Sequence, residues 1–199
     1  DKAGKSNILD RLKQFGIAIK AEDPRVAELV HEVKSREKLG YAYEGAEASF
    51  ELLARRMLDK EPEFFEVQGF RVIGERRFNA KGKLVNISEA TVKLVVDGEE
   101  VLTAAEGNGP VNALDGALRK ALAKYFPGLK NLLLTDFKVR IINSNEGTGA
   151  ITRVMIESQD DKGQRWSTLG VSANLTDAAF DALLDSVTYK LLKNQLRTG

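Results

Sequence analysis

GPVNALDGAL, residues 109–118, lies over NLTDAAFDAL, residues 174–183, when the chain is shifted by 65 positions on itself. Ala113 then meets Ala178, and Ala117-Leu118 meets Ala182-Leu183. The surroundings repeat as well. Strand-like runs at 65–78, 88–97 and 100–106 precede the first stretch, and runs at 132–143, 150–159 and 165–172 precede the second. Asp97-Gly98 and the cluster of Asp160, Asp161 and Gly163 supply the hairpin turns. Each set of strands passes into a helical pattern. One opens at Pro110 with Val111, Leu114, Leu118 and Leu122 on its apolar face, and the other runs from Asn174 to about Leu192. Three strands offer one sheet face for one helix to cover. The sequence therefore predicts two β-β-β-α units, about 63–128 and 129–199, related by a pseudo-twofold axis.

Residues 1–62 have a different rhythm. Ser6 or Asn7 caps a short helix, ILDRLKQF, that Gly16 ends. Asp23-Pro24 starts a second, with Asp as N-cap and proline at the first helical position, and Val26, Leu29, Val30 and Val33 recur at helical spacing until Gly40. A third, from about Gly45 to Leu58, places Ala46, Phe50, Leu53 and Met57 on one stripe before Glu61-Pro62. The predicted class is α+β: a helical linker subdomain, 1–62, followed by a duplicated β-β-β-α domain, 63–199.

Composition narrows the chemistry. Of 199 residues, 43% are hydrophobic and 30% charged, the balance of a soluble globular protein. Lys plus Arg number 30 against 29 Asp plus Glu, interleaved along the chain, so no basic field argues for nucleic acid. The absence of cysteine excludes disulfides, thiolate metal sites and cysteine nucleophiles. No apolar run approaches the roughly 20 residues that span a bilayer, and nothing resembles a signal peptide, so a cytoplasmic chain with no membrane partner is expected. The abrupt start, DKAGKSNILDRL, suggests a piece of a longer protein.

Gly107 and Gly109, between a strand and a helix, resemble a phosphate-binding fingerprint. That motif needs a third glycine or alanine where Asn112 stands, and a parallel β-α-β unit where antiparallel hairpins are predicted. A tight turn with Asn108 or Gly109 capping and Pro110 at N1 explains the same residues. The helix start still exposes N–H groups able to hold a carboxylate. His31 is the single histidine and reads as a helix-surface residue; no zincin pair and no Gly-x-Ser-x-Gly elbow exist. Glu44 and Glu47 fit a helix start, Asp97, Asp160 and Asp161 fit turns, and Trp166 reads as core or interface. No catalytic residue is assigned. NEGTGAITR, 145–153, is a glycine-rich loop between strands, either a plain hairpin or a binding loop.

Taken together, the duplicated module, GNGPVNAL, LTDFKVRI, GTGAITRV and the closing NLTDAAFDALLDSVTYKL resemble the C-terminal regulatory domain of α-isopropylmalate and citramalate synthases. YEGAEASFELLARR, 43–56, resembles the citramalate synthase branch, and AGKSNILDRLKQFGI resembles the linker that joins that family's catalytic barrel to its regulatory domain. The resemblance implies a homodimeric acyltransferase that condenses acetyl-CoA with a 2-oxo acid, pyruvate for citramalate. Its divalent metal would sit in an N-terminal (β/α)8 barrel lying outside these residues, leaving this segment without cofactor and inactive by itself. It also implies a branched-chain amino acid as feedback effector, isoleucine for a citramalate synthase and leucine for an isopropylmalate synthase.

A zwitterionic effector needs donors for its carboxylate, an acceptor for its ammonium and an apolar slot. The start of the helix at Pro110 offers donors in the N–H groups near Gly109, Val111 and Asn112, and Asp136 offers the acceptor. Val111, Leu114, Phe137 and Val139 would line the slot, with Thr148, Gly149 and Ala150 closing it. Gly109, Val111, Phe137 and Ala150 are carried by the family's motif. Two rivals stand beside this reading: a dimerisation module without ligand, and a dinucleotide-binding enzyme.

Overall fold

A computed structural model describes residues 2–58, 60, 62–143 and 149–198, with the side chains of 197 and 198 left out. The elements follow in the order α1 (Lys2–Gln14), α2 (Pro24–Leu39), α3 (Glu47–Met57), β1 (Glu66–Phe78), β2 (Leu84–Val96), β3 (Glu99–Gly107), α4 (Pro110–Leu122), β4 (Leu133–Ile141), β5 (Thr152–Gln159), β6 (Arg165–Ser172) and α5 (Leu175–Thr198). Short 3-10 turns at Tyr43–Gly45 and Pro127–Asn131 precede α3 and β4. Two three-stranded antiparallel sheets, ordered β1-β2-β3 and β4-β5-β6, are each followed by a helix. This is the duplicated α+β layout that the sequence predicts. The antiparallel pairing removes the parallel unit that a dinucleotide site requires.

The chain divides into two compact units. The first holds residues 1–62, 135–157 and 165–186; the second holds 63–134, 158–164 and 187–199.

In the first unit, the helical core gathers Ile8, Leu12, Leu29, Val33, Phe50 and Leu53 with Leu169 of β6. Each such leucine removed from water contributes about 1.5–3 kcal/mol. α2 begins as predicted: Asp23 accepts from the amide of Arg25, and Gly40, at φ 114°, closes the C-terminus. α1 begins at Lys2 rather than at the predicted caps Ser6 or Asn7, because a polar cap residue is a permission to start, not an obligation. Gly170 of β6 admits the start of α5: a Cβ there would collide with the carbonyl of Ala178.

In the second unit, β2 buries alternate residues, Ser88, Ala90, Val92, Leu94 and Val96. α4 covers that face with Ala113, Leu114, Ala117, Leu118, Ala121 and Leu122. The hairpin between β2 and β3 turns at Asp97 (φ 51°) and Gly98 (φ 76°), the two positive angles of a tight turn that keeps the strands twisted together. β2 starts four residues before the predicted 88: Leu84–Ile87 pair with β1, Leu84 and Asn86 being exposed and Val85 and Ile87 only half-buried. Periodicity of burial announces a strand weakly where no residue of it is fully buried.

Candidate functional site

Gly107 to Asn112, in the second unit, form the loop that enters α4. Gly109 is fully extended (φ −165°) and has no capping side chain; the helix is opened by Pro110, and the amide of Ala113 donates to the Gly109 carbonyl at 3.0 Å. The Asn112 side chain folds back, its Oδ1 accepting from the amide of Asn108 at 3.3 Å. A Cβ on Gly107 would stand 2.5 Å from that Oδ1 and 2.6 Å from the Ala113 nitrogen. Gly107 is therefore needed for the close approach of strand to helix, a steric role that requires no phosphate. Val111 is half-buried, Pro110 and Asn112 are exposed, and Leu114 is fully buried on the inner face of α4.

Asp136, Phe137, Val139, Gly149 and Ala150 belong to the first unit. Asp136 is exposed on β4, where it accepts from the amide of Phe137 at 2.9 Å and lies 3.4 Å from Lys138 Nζ. Phe137 and Val139 are 41% and 45% exposed, so β4, an edge strand, presents apolar side chains to solvent. Gly149 is exposed and Ala150 buried. Thr148 lies outside the described residues. The expected contacts thus fall into two sets, each in its own unit.

A third locus, wholly within the first unit, carries polar groups that the sequence reading passed over. A cavity of about 420 Å3 is lined by Arg36, Tyr41, Tyr43, Ser49, Leu53, Arg56, Leu169, Asp181, Leu184 and Asp185. Asp185 accepts from Ser49 Oγ at 2.8 Å and from Arg56 at 3.1 Å, and Ser49 Oγ in turn accepts from the amide of Leu169 at 3.0 Å. Burial pushes the Asp185 carboxyl above its ordinary range, against the pull of Arg56 and Ser49. Asp181 is pushed up to about 6, first by burial and then by the negative charges of Asp185 and Asp177. The Tyr41 and Tyr43 rings stack 5.6 Å apart, and burial lifts Tyr43 to about 12. Arg36 is held by Glu32 at 2.6 Å and sits 3.5 Å from the Tyr43 hydroxyl. The signal was present in the sequence: Asp177, Asp181 and Asp185 recur every four residues, which puts three acids on one helix face.

Among the described residues no group of three or more His, Asp or Glu side chains is placed to hold a metal ion. None of their helices is long and apolar enough to cross a membrane. His31 is exposed on α2 and Trp166 is buried in β6, as expected of a surface and a core residue.

Residues 44–191 match the family model of the LeuA allosteric (dimerisation) domain. The chain is 51% identical over 195 residues to an (R)-citramalate synthase of Geobacter sulfurreducens, covering 98% of this chain and 36% of that protein. It is 47% identical to the Aquifex aeolicus (R)-citramalate synthase, over 98% of this chain and 36% of the relative. A 2-isopropylmalate synthase, also of Aquifex aeolicus, is 26% identical over 97% of this chain and 34% of its own length. The chain therefore spans about a third of the length of the curated relatives it matches.

Proposed function

The chain belongs to the LeuA allosteric (dimerisation) domain family, and from that membership we propose that it is the regulatory, dimerising part of a citramalate synthase that condenses acetyl-CoA with pyruvate. The observation that carries the choice of enzyme is the gap in identity, 51% to an (R)-citramalate synthase against 26% to a 2-isopropylmalate synthase. In this reading the enzyme works in the cytoplasm. The divalent metal and the chemistry belong to a catalytic domain outside these residues, and the segment alone turns nothing over. Residues 1–62 serve as the linker, and residues 63–199 as the sensor that two copies share.

The proposed effector is isoleucine. Its carboxylate would be met by the N–H groups of Gly109, Val111 and Asn112, which flank Pro110 where α4 starts, since a helix N-terminus favours an anion. Asp136 is the proposed ammonium partner, and Val111, Leu114, Phe137, Val139, Thr148, Gly149 and Ala150 remain the proposed apolar and closing contacts. Isoleucine can inhibit only by binding one arrangement of the dimer better than another.

Calorimetric titration of the chain with isoleucine, leucine and valine is the test. Saturable heat is expected with isoleucine at the lowest concentration, and no heat with any of the three would remove the effector from the proposal. Tighter leucine binding would move the chain to the isopropylmalate synthase reading. Val111→Trp fills the proposed slot and should abolish isoleucine inhibition of the full-length enzyme, while unchanged sensitivity would place the site elsewhere. Dimerisation without any response to amino acids, seen by ultracentrifugation, would leave a purely structural module.

A further inference from the structure

We propose that Ser88 of β2 is a further binding residue at the start of α4, its hydroxyl donating to the carboxylate of the bound amino acid. This rests on the effector reading above and adds to it a side chain from the sheet.

Ser88 stands on the face of β2 that α4 covers, the first of the buried alternates Ser88, Ala90, Val92, Leu94 and Val96. It is only 8% exposed, yet among the described residues no hydrogen bond ends on its hydroxyl. A buried hydroxyl left unpaired is costly, so Ser88 calls for a partner from outside the chain.

The row around it is bare. Ser88 faces Gly74 of β1 on one side and Gly107 of β3 on the other, so it alone of the three carries a side chain. Facing positions in such a ladder lie about 4.5–5.5 Å apart from Cβ to Cβ. On the Gly107 side α4 takes the space: a Cβ there would meet Asn112 and the Ala113 nitrogen. On the Gly74 side nothing lies within 4 Å of an added carbon, and Gly74 is exposed. Ser88 therefore forms the floor of a notch that has the first turn of α4 at one end and solvent at the other.

The charges on this face favour an anionic acceptor. The start of α4 brings the positive end of its dipole, and Gly109 supplies no capping side chain. Arg76 follows Gly74 on the same face of β1, exposed, and among the described residues it meets no acid. The neighbouring acids Glu75, Glu89 and Glu106 alternate to the opposite face of the sheet. A carboxylate seated in the notch would accept from Ser88 Oγ with one oxygen and from the α4 amides with the other.

Calorimetry on the protein with isoleucine and with isoleucinamide, which lacks the carboxylate, tests the assignment. Ser88→Ala should weaken isoleucine about tenfold, the loss of one hydrogen bond to a charged group, and leave isoleucinamide at its wild-type affinity. Gly74→Val fills the open end of the notch from the other strand. It should weaken isoleucine by about tenfold or more while melting no lower than the wild type. Unchanged isoleucine affinity in either variant, or an equal loss of isoleucine and isoleucinamide in Ser88→Ala, would overturn the role of Ser88 and leave the effector reading standing. No isoleucine heat with the wild-type chain would remove the effector reading itself, and the role of Ser88 with it.

Discussion

Thr168 donates its hydroxyl to the carbonyl of Ala182 at 2.8 Å, and 65 residues earlier Thr103 does the same to Ala117 at 2.7 Å. The shift that aligns the two helices thus also aligns a strand-to-helix hydrogen bond, down to the donor and the acceptor. Thr168 is fully buried and Thr103 only half so. Thr168→Val should therefore cost about 1 kcal/mol of stability, the net worth of a neutral hydrogen bond, and Thr103→Val less. Urea denaturation of both variants at equal m-value measures the difference; a larger loss at Thr103 would contradict the burial argument.

Gly170→Ala would drive a methyl group into the backbone of Ala178, which cannot swing aside as a side chain can. A loss of about 2 kcal/mol or more is expected, as for other overpacked sites. Gly74→Ala is the control, because nothing lies within 4 Å of the added carbon. Thermal melts should show Gly170→Ala falling by several degrees and Gly74→Ala holding or rising slightly, through the stiffer unfolded chain.

Lys190 and Asp160 form an ion pair at 3.6 Å with side chains only 4% and 1% exposed. Asp160 also caps its own turn, Oδ1 accepting from the amides of Lys162 and Gln164. Removing the cation alone, as in Lys190→Met, should cost roughly 3 kcal/mol, because a buried carboxylate loses the cation that balances its charge. Adding Asp160→Asn to that variant should restore part of the loss while keeping the turn. A double mutant less stable than Lys190→Met, by chemical denaturation, would show that the two side chains do not interact.

Asp181 gives the stability a pH dependence of predictable sign. Burial first, then the charges of Asp185 and Asp177, raise its carboxyl to about 6 in the fold from the ordinary 3.8 of the unfolded chain, so the folded chain binds the proton more tightly. The penalty for its charge is fully present above pH 6, shrinks as the pH falls through 6, and is gone below about 3.8. Wild type should gain stability between pH 7.5 and pH 5 relative to Asp181→Asn, which lacks this group. Parallel stability curves for the two proteins across that window would refute the shift. Asp23 acts in the opposite sense: hydrogen bonds from Arg25 hold it at about 2, so its contribution to the start of α2 is present above 3.8 and lost as the pH falls toward 2.

Much of the architecture was legible because its signals are local. Asp23-Pro24 announced α2, Asp97-Gly98 announced the first hairpin, and the Ala113/Ala178 and Ala117/Ala182 matches announced the repeat. The early start of β2 was not legible, since Leu84–Ile87 form a ladder whose better-covered face, Val85 and Ile87, is only half-buried. For the site, the helix start at Gly109 and Pro110 was read correctly as a helix start. The reason for Gly107 was not, because the collision it avoids is with Asn112 and Ala113 in three dimensions. The Asp177, Asp181, Asp185 stripe was visible as spacing and yet mute as chemistry.

By itself the sequence determined the order of strands and helices, the duplication and the turns, since each depends on residues a few positions apart whose periodicity and backbone preferences are written side by side. Only the tertiary structure decided which acids lost their water and which kept it. Ser49 meets Asp185 across 136 positions, and Lys190 meets Asp160 in the interior, although nothing in their neighbours distinguishes them from surface residues. Burial sets the cost of a charge, and burial is a property of the packed chain rather than of any segment of it.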